Sequence, residues 1–558
     1  MTYYKSYNKG LFILLASWLL LNLLQAIFTE INPDEAYYFL YGKHLDWGYY
    51  DHPPMVALIV RASSWFFNGN LGVRFITVLL QIPTLILIWL QLDKKVINDK
   101  RSLLFFFIIS ASLVLFAVYG FTTTPDAPLL FFTALFFYAY KKFLTNDAWA
   151  FTLLMAVAMA GLVYSKYMGV LVIGFIILSN IRLLLNPRFL IASFLALALF
   201  MPHLYWQYSH DFPSFKYQLL SRSDPFRWRY FLEYLPNQLA TFNPFTLVAV
   251  LYVLFKYKPT QKFDRGQYFV IIGFILFFWI STFRGHAEPQ WTVAASVPII
   301  ILLNNRIATD EWLRNYVQKF IGGSLFLVLI ARVLLVTNLL PAELYLSGKE
   351  SRYLAIEKIA KNKPVIFAGS YQNPSLYTFF TGNPATPISS LYGRQTQFDI
   401  WHLEQDWHNK PVFVCGMFEG KSKTYKSGKS IIDGFFADRL QTTNRLKIKY
   451  EINRDSLRIG DAVSLNFTVE NPTQSDINFA CADFPIKINL IIIGNTDLFE
   501  IEGTTTNDIT ILKRNGKINN VIKFVIPDLP RGDYKFGLGC STIFGPTLNS
   551  DIKNVTLF

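Results

Sequence analysis

The sequence predicts a polytopic α-helical membrane protein that ends in an extracytoplasmic region rich in strands. Three observations support this class: long apolar runs, a low content of charged residues, and a change of pattern near residue 340. Of the 558 residues, 52% are hydrophobic and 16% are charged, whereas soluble domains carry about 25% charged residues. Most of the chain is therefore expected to lie in lipid.

The apolar runs predict the spanning helices. A helix that crosses a bilayer needs about 20 apolar residues, with tolerance for tilt and for short buried helices. The first run is too long for a cleaved signal peptide and no small-residue cleavage site follows it, so we expect a retained anchor. We predict about eleven transmembrane helices, at 10–28, 72–92, 102–120, 127–141, 148–164, 167–181, 189–206, 240–256, 267–283, 290–304 and 319–340.

The distribution of basic residues predicts the topology. The net charge of +14 arises from Lys and Arg in short clusters between apolar runs. Such clusters are typical of the cytoplasmic loops of membrane proteins and do not indicate a nucleic-acid surface. With a cytoplasmic N-terminus, the clusters at 94–101, 141–142, 182–188, 256–265 and 306–319 all face the cytoplasm. The regions then expected outside are 29–70, 121–126, 207–239, 284–289 and everything after about 341.

The pattern after residue 340 predicts two further regions. A helix over 350–361 and buried strands over 364–369 and 411–416 indicate a small α/β unit. Five later strand-like segments, separated by Asn-Pro, Arg-Asn-Gly and Arg-Gly-Asp turns, indicate an immunoglobulin-like β-sandwich. The predicted domains are 1–340 (transmembrane), 341–445 (α/β) and 446–558 (β-sandwich). Cys415, Cys481 and Cys540 lack metal-ligand spacing, and a Cys481–Cys540 disulfide stays open.

An acidic pair follows the first apolar run, in Asn32-Pro33-Asp34-Glu35. Asn32 as N-cap, Pro33 at the first helical position and Glu35 two residues later form a capping box, which accounts for Glu35. Capping accounts for Asp34 only as a favourable charge in the first turn. Asp34 is therefore a candidate catalytic carboxylate, and Glu35 and Tyr37 are candidates for lining the substrate cavity.

A second acidic helix start, Thr124-Pro125-Asp126, repeats this arrangement. On the predicted topology Asp126 falls on the same outer face as Asp34. Two carboxylates there can share catalysis, one taking a proton and the other orienting the acceptor or the base. A helix start capped by Thr124 remains the alternative for Asp126.

Basic and imidazole groups on the predicted outer face are candidates for binding a phosphate. Guanidinium groups bind phosphate in a bidentate manner, and a charge at membrane depth is costly and therefore often functional. For the arginines of loop 207–239, attraction to lipid headgroups is the alternative. Asp51, as a possible N-cap, and His203 and His286, at outer helix ends, are further candidates for the cavity. The phosphate-binding candidates are His52, Lys166, Arg74, Arg222 and Arg227.

These residues lie in a series of motifs that resembles the bacterial branch of glycosyltransferase family 39, within the GT-C superfamily. That family includes protein O-mannosyltransferases and the transferases that add aminoarabinose to lipid A. The order and spacing of the motifs carry the resemblance, over roughly residues 10–300. They are Pro33-Asp34-Glu35-Ala36-Tyr37-Tyr38, Asp51-His52-Pro53-Pro54, Val73-Arg74-Phe75, Pro125-Asp126-Ala127-Pro128, Ser165-Lys166-Tyr167, and Trp206-Gln207 through His210-Asp211-Phe212-Pro213-Ser214-Phe215.

The resemblance implies a bacterial inner-membrane enzyme that takes a sugar from a polyprenyl phosphate with inversion. It implies that Asp34 is the base and that Asp126 is the second loop aspartate. The acceptor would be an envelope lipid, glycan or protein. In the aminoarabinose transferases a lysine stands where this chain has His52, which leaves the donor open. We expect no cofactor, although a divalent cation among Asp34, Glu35 and Asp126 is compatible with the sequence.

Two other classes of protein are compatible with a polytopic chain. A flippase would move a lipid-linked sugar without cleaving it, but no paired halves or broken helices of the transporter kind are evident. A membrane-anchored glycan-binding protein would use the β-sandwich, but about eleven helices exceed what an anchor needs. The sequence therefore favours the glycosyltransferase.

Overall fold

The chain forms two compact units, Met1–Ser347 and Gly348–Phe558. The structure is a computed structural model, and it describes residues 2–97, 99, 101–146, 148–221, 225–337, 349–452, 455–494 and 497–558. The first unit is helical, and the second combines three α-helices and a 3-10 helix with seventeen strands in its described part. The predicted change of pattern near residue 340 thus falls close to the boundary between the units.

The first unit contains eighteen α-helices within its described residues. The first nine are α1 (Thr2–Phe28), α2 (Pro33–Lys43), α3 (Met55–Ser64), α4 (Gly69–Trp89), α5 (Lys94–Ile97), α6 (Ser102–Ser112), α7 (Val114–Val118), α8 (Asp126–Phe143) and α9 (Trp149–Ser165). The others are α10 (Gly169–Ser179), α11 (Pro187–Ser209), α12 (Pro213–Lys216), α13 (Trp228–Phe242), α14 (Pro244–Lys256), α15 (Lys262–Ser281), α16 (Ser296–Ile307), α17 (Glu311–Tyr316) and α18 (Gly322–Val336).

Fewer of these helices meet the requirements for a membrane span than the sequence predicted. Within the described ranges, five are long and apolar enough to cross a membrane. The count is six if the bent pair α13 and α14 forms one span. Several other predicted spans are apolar helices of 10–17 residues, among them α6, α9 and α10. The structure therefore does not confirm a count of about eleven.

Backbone breaks account for part of the difference. The predicted span 102–120 ends as a regular helix at Ser112, because Leu113 has an extended backbone and α7 starts again after it. The predicted span 240–256 contains Asn243 at a φ of 67°, where α13 and α14 meet at 99°. The predicted span 290–304 begins instead as a 3-10 helix, Pro289–Ala295. Apolar composition alone does not reveal such breaks.

Close packing of α8 on α9 brings the ends of these two helices together. Gly161 of α9 lies directly against the ring of Phe132, since a Cβ on Gly161 would come within 2.1 Å of that ring. Such contact between small and large side chains lets helix backbones approach in membranes. Asp126 begins α8 and Lys166 follows α9. The helix pair therefore places these two predicted site residues at the same end.

The second unit starts with an α/β part. Its helices are α19 (Lys349–Ala360), α20 (Gln372–Thr381) and α21 (Phe398–Trp401), and α19 matches the predicted helix 350–361. A five-stranded sheet has the order β2-β1-β3-β5-β4, with β1 parallel to both neighbours and β5 antiparallel to both neighbours. Its strands are β1 (Val365–Ala368), β2 (Ala385–Ile388), β3 (Val412–Cys415), β4 (Lys423–Ser427) and β5 (Ser430–Ala437).

The rest of this unit consists mainly of two sheets that share one apolar core. One has the order β11-β10-β15-β17-β7 and the other β12-β14-β8-β6, while β9 and β13 form a separate pair. The immunoglobulin-like class stays a prediction. The strands are β6 (Lys447–Tyr450), β7 (Ser456–Leu457), β8 (Ala462–Glu470), β9 (Ile477–Asn478), β10 (Lys487–Ile493), β11 (Leu498–Glu502), β12 (Thr504–Thr505), β13 (Ile511–Leu512), β14 (Lys517–Val525), β15 (Gly532–Thr542), β16 (Gly545–Pro546) and β17 (Lys553–Leu557).

The three cysteines of this unit are free thiols. Cys415 and Cys540 are buried and Cys481 is partly exposed. The disulfide between Cys481 and Cys540 that the sequence left open is therefore absent.

Candidate active site

The start of α2 has the predicted capping geometry. The side-chain oxygen of Asn32 accepts the backbone N–H of Glu35 at 2.9 Å, and the Glu35 carboxylate accepts the backbone N–H of Asn32 at 3.3 Å. Pro33 occupies the first helical position. Capping thereby fixes the first turn, in which Asp34 is exposed while Glu35 is fully buried.

Glu35 and Arg74 form a buried structural pair. The Nε of Arg74 donates to Glu35 at 2.7 Å, and its Nη2 donates to the other carboxylate oxygen. The remaining Arg74 N–H groups bind the backbone carbonyls of Ala26, Thr29 and Glu30. All five donors of the guanidinium are thus engaged. The geometry corrects the prediction that Arg74 binds the donor phosphate, because it has no N–H to offer.

The same carboxylate ties α2 to the turn before α8. Glu35 accepts the backbone N–H of Thr123 at 2.8 Å, and the hydroxyl of Thr123 binds Thr77 and the carbonyl of Val73. Its oxygens are therefore saturated by the protein. Glu35 therefore supports the structure of the site, and its place in the cavity lining or beside a divalent cation stays a prediction.

Asp126 and Lys166 form the second buried ion pair. The ammonium of Lys166 donates to the two carboxylate oxygens of Asp126 at 2.7 and 3.0 Å. Both side chains are less than one tenth exposed. The helix begins at Asp126, one residue later than predicted, and the Thr124 hydroxyl accepts the Asp126 N–H at 3.3 Å. Two residues predicted in separate roles therefore act as one unit.

Tyr119 relates the acidic groups to one another. Its phenol lies within electrostatic range of the carboxylates of Asp126, Asp34 and Glu288. These residues come from three predicted outer loops that are far apart in sequence. The hydrogen bond from Thr123 to Glu35 brings the segments of Asp34 and Asp126 together at one end of the helical unit, and Glu288 acts electrostatically on the same phenol.

The loop between α2 and α3 is held by its own aromatic residues. The rings of Tyr41 and Tyr49 stack at 3.9 Å, and the Tyr49 hydroxyl donates to the carbonyls of Tyr41 and His44 while accepting the N–H of Asp46. Tyr37 is buried against Tyr41 at 4.7 Å. Burial raises the pKa of the Tyr41 phenol well above its usual value, and the neighbouring Tyr37 and Asp51 add to this.

The end of α11 holds the same loop from the other side. Trp206 donates its indole N–H to Asp46 at 2.8 Å, and the Nδ1 of His203 lies 2.7 Å from the carbonyl of Trp47. Gly48 is required here, because a Cβ would come within 2.4 Å of the Trp206 ring. The Trp206 motif that carried the family resemblance therefore positions the loop.

His203 belongs to a buried polar network. Because its Nδ1–H donates to Trp47, its Nε2 accepts from Tyr167 at 3.0 Å. Gln207 donates to Tyr167 and to Ser214, and the Ser214 hydroxyl donates to the carbonyl of Tyr49. His203 is fully buried. It is a positioning residue in this network, and its place in the cavity lining stays a prediction.

Asp51 and His52 lie at the end of the loop. The sequence suggested Asp51 as an N-cap, but α3 begins at Met55 after Pro54 and has no side-chain cap. Asp51 is buried, and its carbonyl accepts a bond from Gln218 at 3.4 Å. The His52 ring meets Tyr38 edge-on at 5.8 Å. Whether His52 binds a phosphate stays a prediction.

The remaining predicted residues belong to two neighbouring segments. Arg227 is exposed, with its guanidinium 5.7 Å from the ring of Tyr230. Tyr230 meets His286 edge-on at 5.6 Å, and the Nδ1 of His286 lies 3.7 Å from Glu288. Arg222 lies outside the described residues. This row connects the predicted arginine loop to Glu288 and so to the Tyr119 group.

Sequence reasoning missed Glu288 and Tyr119. Glu288 stands in Ala287-Glu288-Pro289, so an acidic residue beside a proline at an outer helix end was available as a signal. Tyr119 ends an apolar run and carried no signal of its own. Within the described residues no group of three His, Cys, Asp or Glu side chains is arranged to hold a metal ion.

Known proteins are similar to parts of this chain. Residues 51–206 match the model of a family described as dolichyl-phosphate-mannose-protein mannosyltransferase. The lipid A galacturonosyltransferase RgtD of Rhizobium johnstonii is 24% identical over 292 residues, which are 49% of this chain and 60% of RgtD. The chain thus matches less than two thirds of this curated relative.

Solved structures show the same fold. ArnT from Cupriavidus metallidurans bound to undecaprenyl phosphate aligns with a TM-score of 0.55 and 13% identity, over 76% of this chain and 97% of ArnT. Its apo form aligns with a TM-score of 0.55 and 12% identity, over 77% and 98%. The chain has an ArnT-like fold with several apolar helices and a C-terminal region of sheets.

Residues 51–206 are thus similar to the mannosyltransferase family, and the fold is similar to that of ArnT. The chain is similar to RgtD, which is named as a lipid A galacturonosyltransferase, and to ArnT, whose structure contains undecaprenyl phosphate. These matches confirm the family resemblance drawn from the motifs.

Proposed function

We propose that this protein transfers a sugar from a polyprenyl-phosphate donor to an envelope lipid, with inversion at the anomeric carbon. The observation that carries the proposal is the hydrogen bond by which Thr123, in the turn before Asp126, joins Glu35, the neighbour of Asp34, with Lys166 bound to Asp126. The name of RgtD, a lipid A galacturonosyltransferase, favours a lipid acceptor over a glycan or a protein. The cytoplasmic N-terminus and periplasmic second unit belong to this proposal, because nucleotide sugars are absent outside the cytoplasm.

Asp34 is the base in this proposal. It is exposed at a capped helix start, whereas Asp126 is buried and neutralised by Lys166. As the acceptor hydroxyl attacks the anomeric carbon, Asp34 takes its proton. The bond from the anomeric carbon to the phosphate oxygen breaks, and the lipid monophosphate leaves with the electron pair. General base catalysis of this kind contributes about 10²- to 10⁴-fold to a rate.

Lys166 meets the charge that develops on the phosphate. An ammonium has three N–H groups, and the described residues accept two bonds from it, both at Asp126. Asp126 therefore orients the ammonium and leaves a donor for a phosphate oxygen. His52 and Arg227 are further candidates for that phosphate. Donors placed where charge develops are commonly the largest single contribution to catalysis.

The test uses purified full-length protein, undecaprenyl-phosphate sugars and lipid A. Released undecaprenyl phosphate together with lipid A of increased mass supports the transferase. Asp34→Asn should reduce turnover by about 10²-fold or more, since it removes the base, while its melting temperature stays at the wild-type value. Undiminished turnover of Asp34→Asn would reject the base. Donor that changes leaflet intact in proteoliposomes would indicate a flippase.

A further inference from the structure

Arg332 of α18 is a buried cation without a carboxylate partner among the described residues. It is 6% exposed. Its two terminal nitrogens each donate to the side-chain oxygen of Asn22 at 3.1 Å, and one also donates to the carbonyl of Ala117 at 3.0 Å. A guanidinium has five N–H groups, so two are left over. A buried charge in a membrane helix is costly and is a functional-site hypothesis by default.

Further hydrogen-bond donors beside Arg332 lack acceptors. The side-chain nitrogens of Asn22 and Trp18 are buried and have no partner in the described part of the chain. The guanidinium lies 5.5 Å from the ring of Trp18 and 5.0 Å from that of Phe121. Buried polar groups are normally satisfied. An excess of donors around an unpaired cation therefore predicts an anion that binds here.

An apolar cavity of about 340 Å³ adjoins this cation. Arg332 is its one charged lining residue within the described ranges, and apolar side chains of α7, α13 and α18 form most of the wall, among them Val118, Leu239 and Leu327. Ala117 and Val118, which also line it, directly precede Tyr119. The cavity therefore combines apolar walls, which suit a hydrocarbon chain, with a cation that suits an anion, and it lies next to the candidate active site.

Helix α13 relates the cavity to the lipid. Trp228, Leu232, Leu235 and Leu239 form one exposed apolar stripe along it, with the spacing of a single helix face. Leu239 also lines the cavity. A lipid chain can therefore pass from the bilayer along α13 to Arg332.

We propose that Arg332 and this cavity bind the lipid monophosphate that the transfer reaction releases. The proposal rests on the proposed function. The sugar donor is a phosphodiester with a single negative charge, whereas a phosphomonoester carries about 1.5 to 2 negative charges near pH 7. An unpaired cation surrounded by unsatisfied donors favours the more highly charged product. The site takes the product from Lys166 and returns it to the membrane along α13.

Farnesyl phosphate is the probe, with farnesol and inorganic phosphate as its two halves, and binding to the full-length protein is measured by microscale thermophoresis. Farnesyl phosphate should bind, and each half should bind at least tenfold more weakly. Arg332→Gln should weaken the binding of farnesyl phosphate about 10- to 100-fold, because a hydrogen bond to a charged group is worth about 1.5–3 kcal/mol. Arg332→Lys should retain part of the affinity.

Two further variants keep the test independent of folding. Ala331 lines the cavity and is exposed, so Ala331→Phe should fill the cavity without disturbing a packed core. This variant should bind farnesyl phosphate at least tenfold more weakly. Arg306→Gln, which loses a pair with Asp264 elsewhere, is the matched control and should bind as wild type. Wild-type affinity in Arg332→Gln, or in Ala331→Phe, overturns the site.

Failure of the site is distinguishable from failure of the transferase. If the binding of farnesyl phosphate depends on Arg332 and Ala331 but lipid A gains no mass in any assay, the proposed transferase activity is rejected and the binding site stands. If turnover depends on Asp34 while both variants bind farnesyl phosphate with wild-type affinity, the transferase stands and the site is overturned. In the expected case, added farnesyl phosphate inhibits the wild type at least tenfold more strongly than Arg332→Gln.

Discussion

Two adjacent carboxylates at the start of α2 have opposite environments. Asp34 is exposed, whereas Glu35 is buried and binds Arg74, Thr123 and Asn32. Removing one partner of a buried ion pair leaves the other charge uncompensated, which is strongly destabilising. The acidic pair therefore divides into an exposed carboxylate, which we propose as the base, and a buried carboxylate that stabilises the structure.

Glu35→Gln should lower the free energy of unfolding by about 3–5 kcal/mol, because Arg74 keeps its charge and loses its counter-ion. Asp34→Asn, at the neighbouring exposed position, should change it by less than about 0.5 kcal/mol. Chemical denaturation in detergent, followed by tryptophan fluorescence, measures both. Equal losses in the two variants would contradict the division.

The Asp126–Lys166 pair is tested by a double-mutant cycle on the free energy of unfolding. The double variant Asp126→Asn/Lys166→Met should lose less stability than the sum of the losses in the two single variants. The difference, which is the coupling energy, should be about 0.5–3 kcal/mol. The exposed pair Arg229–Glu233 is the control, where about 0.3–0.5 kcal/mol is expected. A coupling no larger than the control would mean that the two side chains do not pair.

The residue scale is where prediction from sequence was uneven. The cap of α2 followed from Asn-Pro-Asp-Glu, because capping depends on neighbouring residues alone. The burial of Arg74, His203 and Glu35 did not, because it depends on contacts with segments far away in sequence. Glu288 was missed for the same reason, since its nearness to Tyr119 is a tertiary fact.

At the scale of elements, the loop between α2 and α3 depends on the end of α11. The contacts of Asp46, Trp47 and Tyr49 with Trp206, His203 and Ser214 make the Trp206 motif a support for the loop. The sequence predicted both segments as functional but not that they touch. Apolar runs likewise predicted most helices, but they did not reveal the break at Leu113 or the bend at Asn243.

Gly48→Ala should reduce turnover about tenfold to a hundredfold, since small displacements of site groups have effects of that size. The added methyl would meet the Trp206 ring at 2.4 Å and His203 at 2.9 Å and would move the loop. Gly174→Ala in α10 is the control, because a Cβ there meets nothing within 4 Å. In steady-state assays with the donor, Gly174→Ala should have wild-type turnover. An equal loss of turnover in both variants would contradict the role of the Trp206 motif in supporting the loop.

At the scale of the whole molecule, the two units allow a test of topology with native cysteines. Cys481 is partly exposed, whereas Cys415 and Cys540 are buried. Burial raises the pKa of Cys415 to about 11 and that of Cys540 to about 12, so neither thiol ionises near pH 7. Since the thiolate is the reactive form, Cys481 should be the thiol that reacts.

A membrane-impermeant maleimide added to spheroplasts should label Cys481 if the second unit lies outside the cytoplasm. Cys481→Ala should abolish labelling, and lysed spheroplasts give the maximum signal for comparison. Labelling only after lysis would invert the topology predicted from the basic clusters. The test does not depend on the number of spans, which the structure does not confirm.

The bend of 99° between α13 and α14 sets α13 across the direction of the helix that follows it. With its stripe of Trp228, Leu232, Leu235 and Leu239 facing outward, α13 is suited to rest among headgroups rather than to cross them. A helix in that layer is sensitive to lateral pressure and lipid packing. The catalytic rate should therefore depend on bilayer curvature, and the physical state of the membrane would then regulate the reaction.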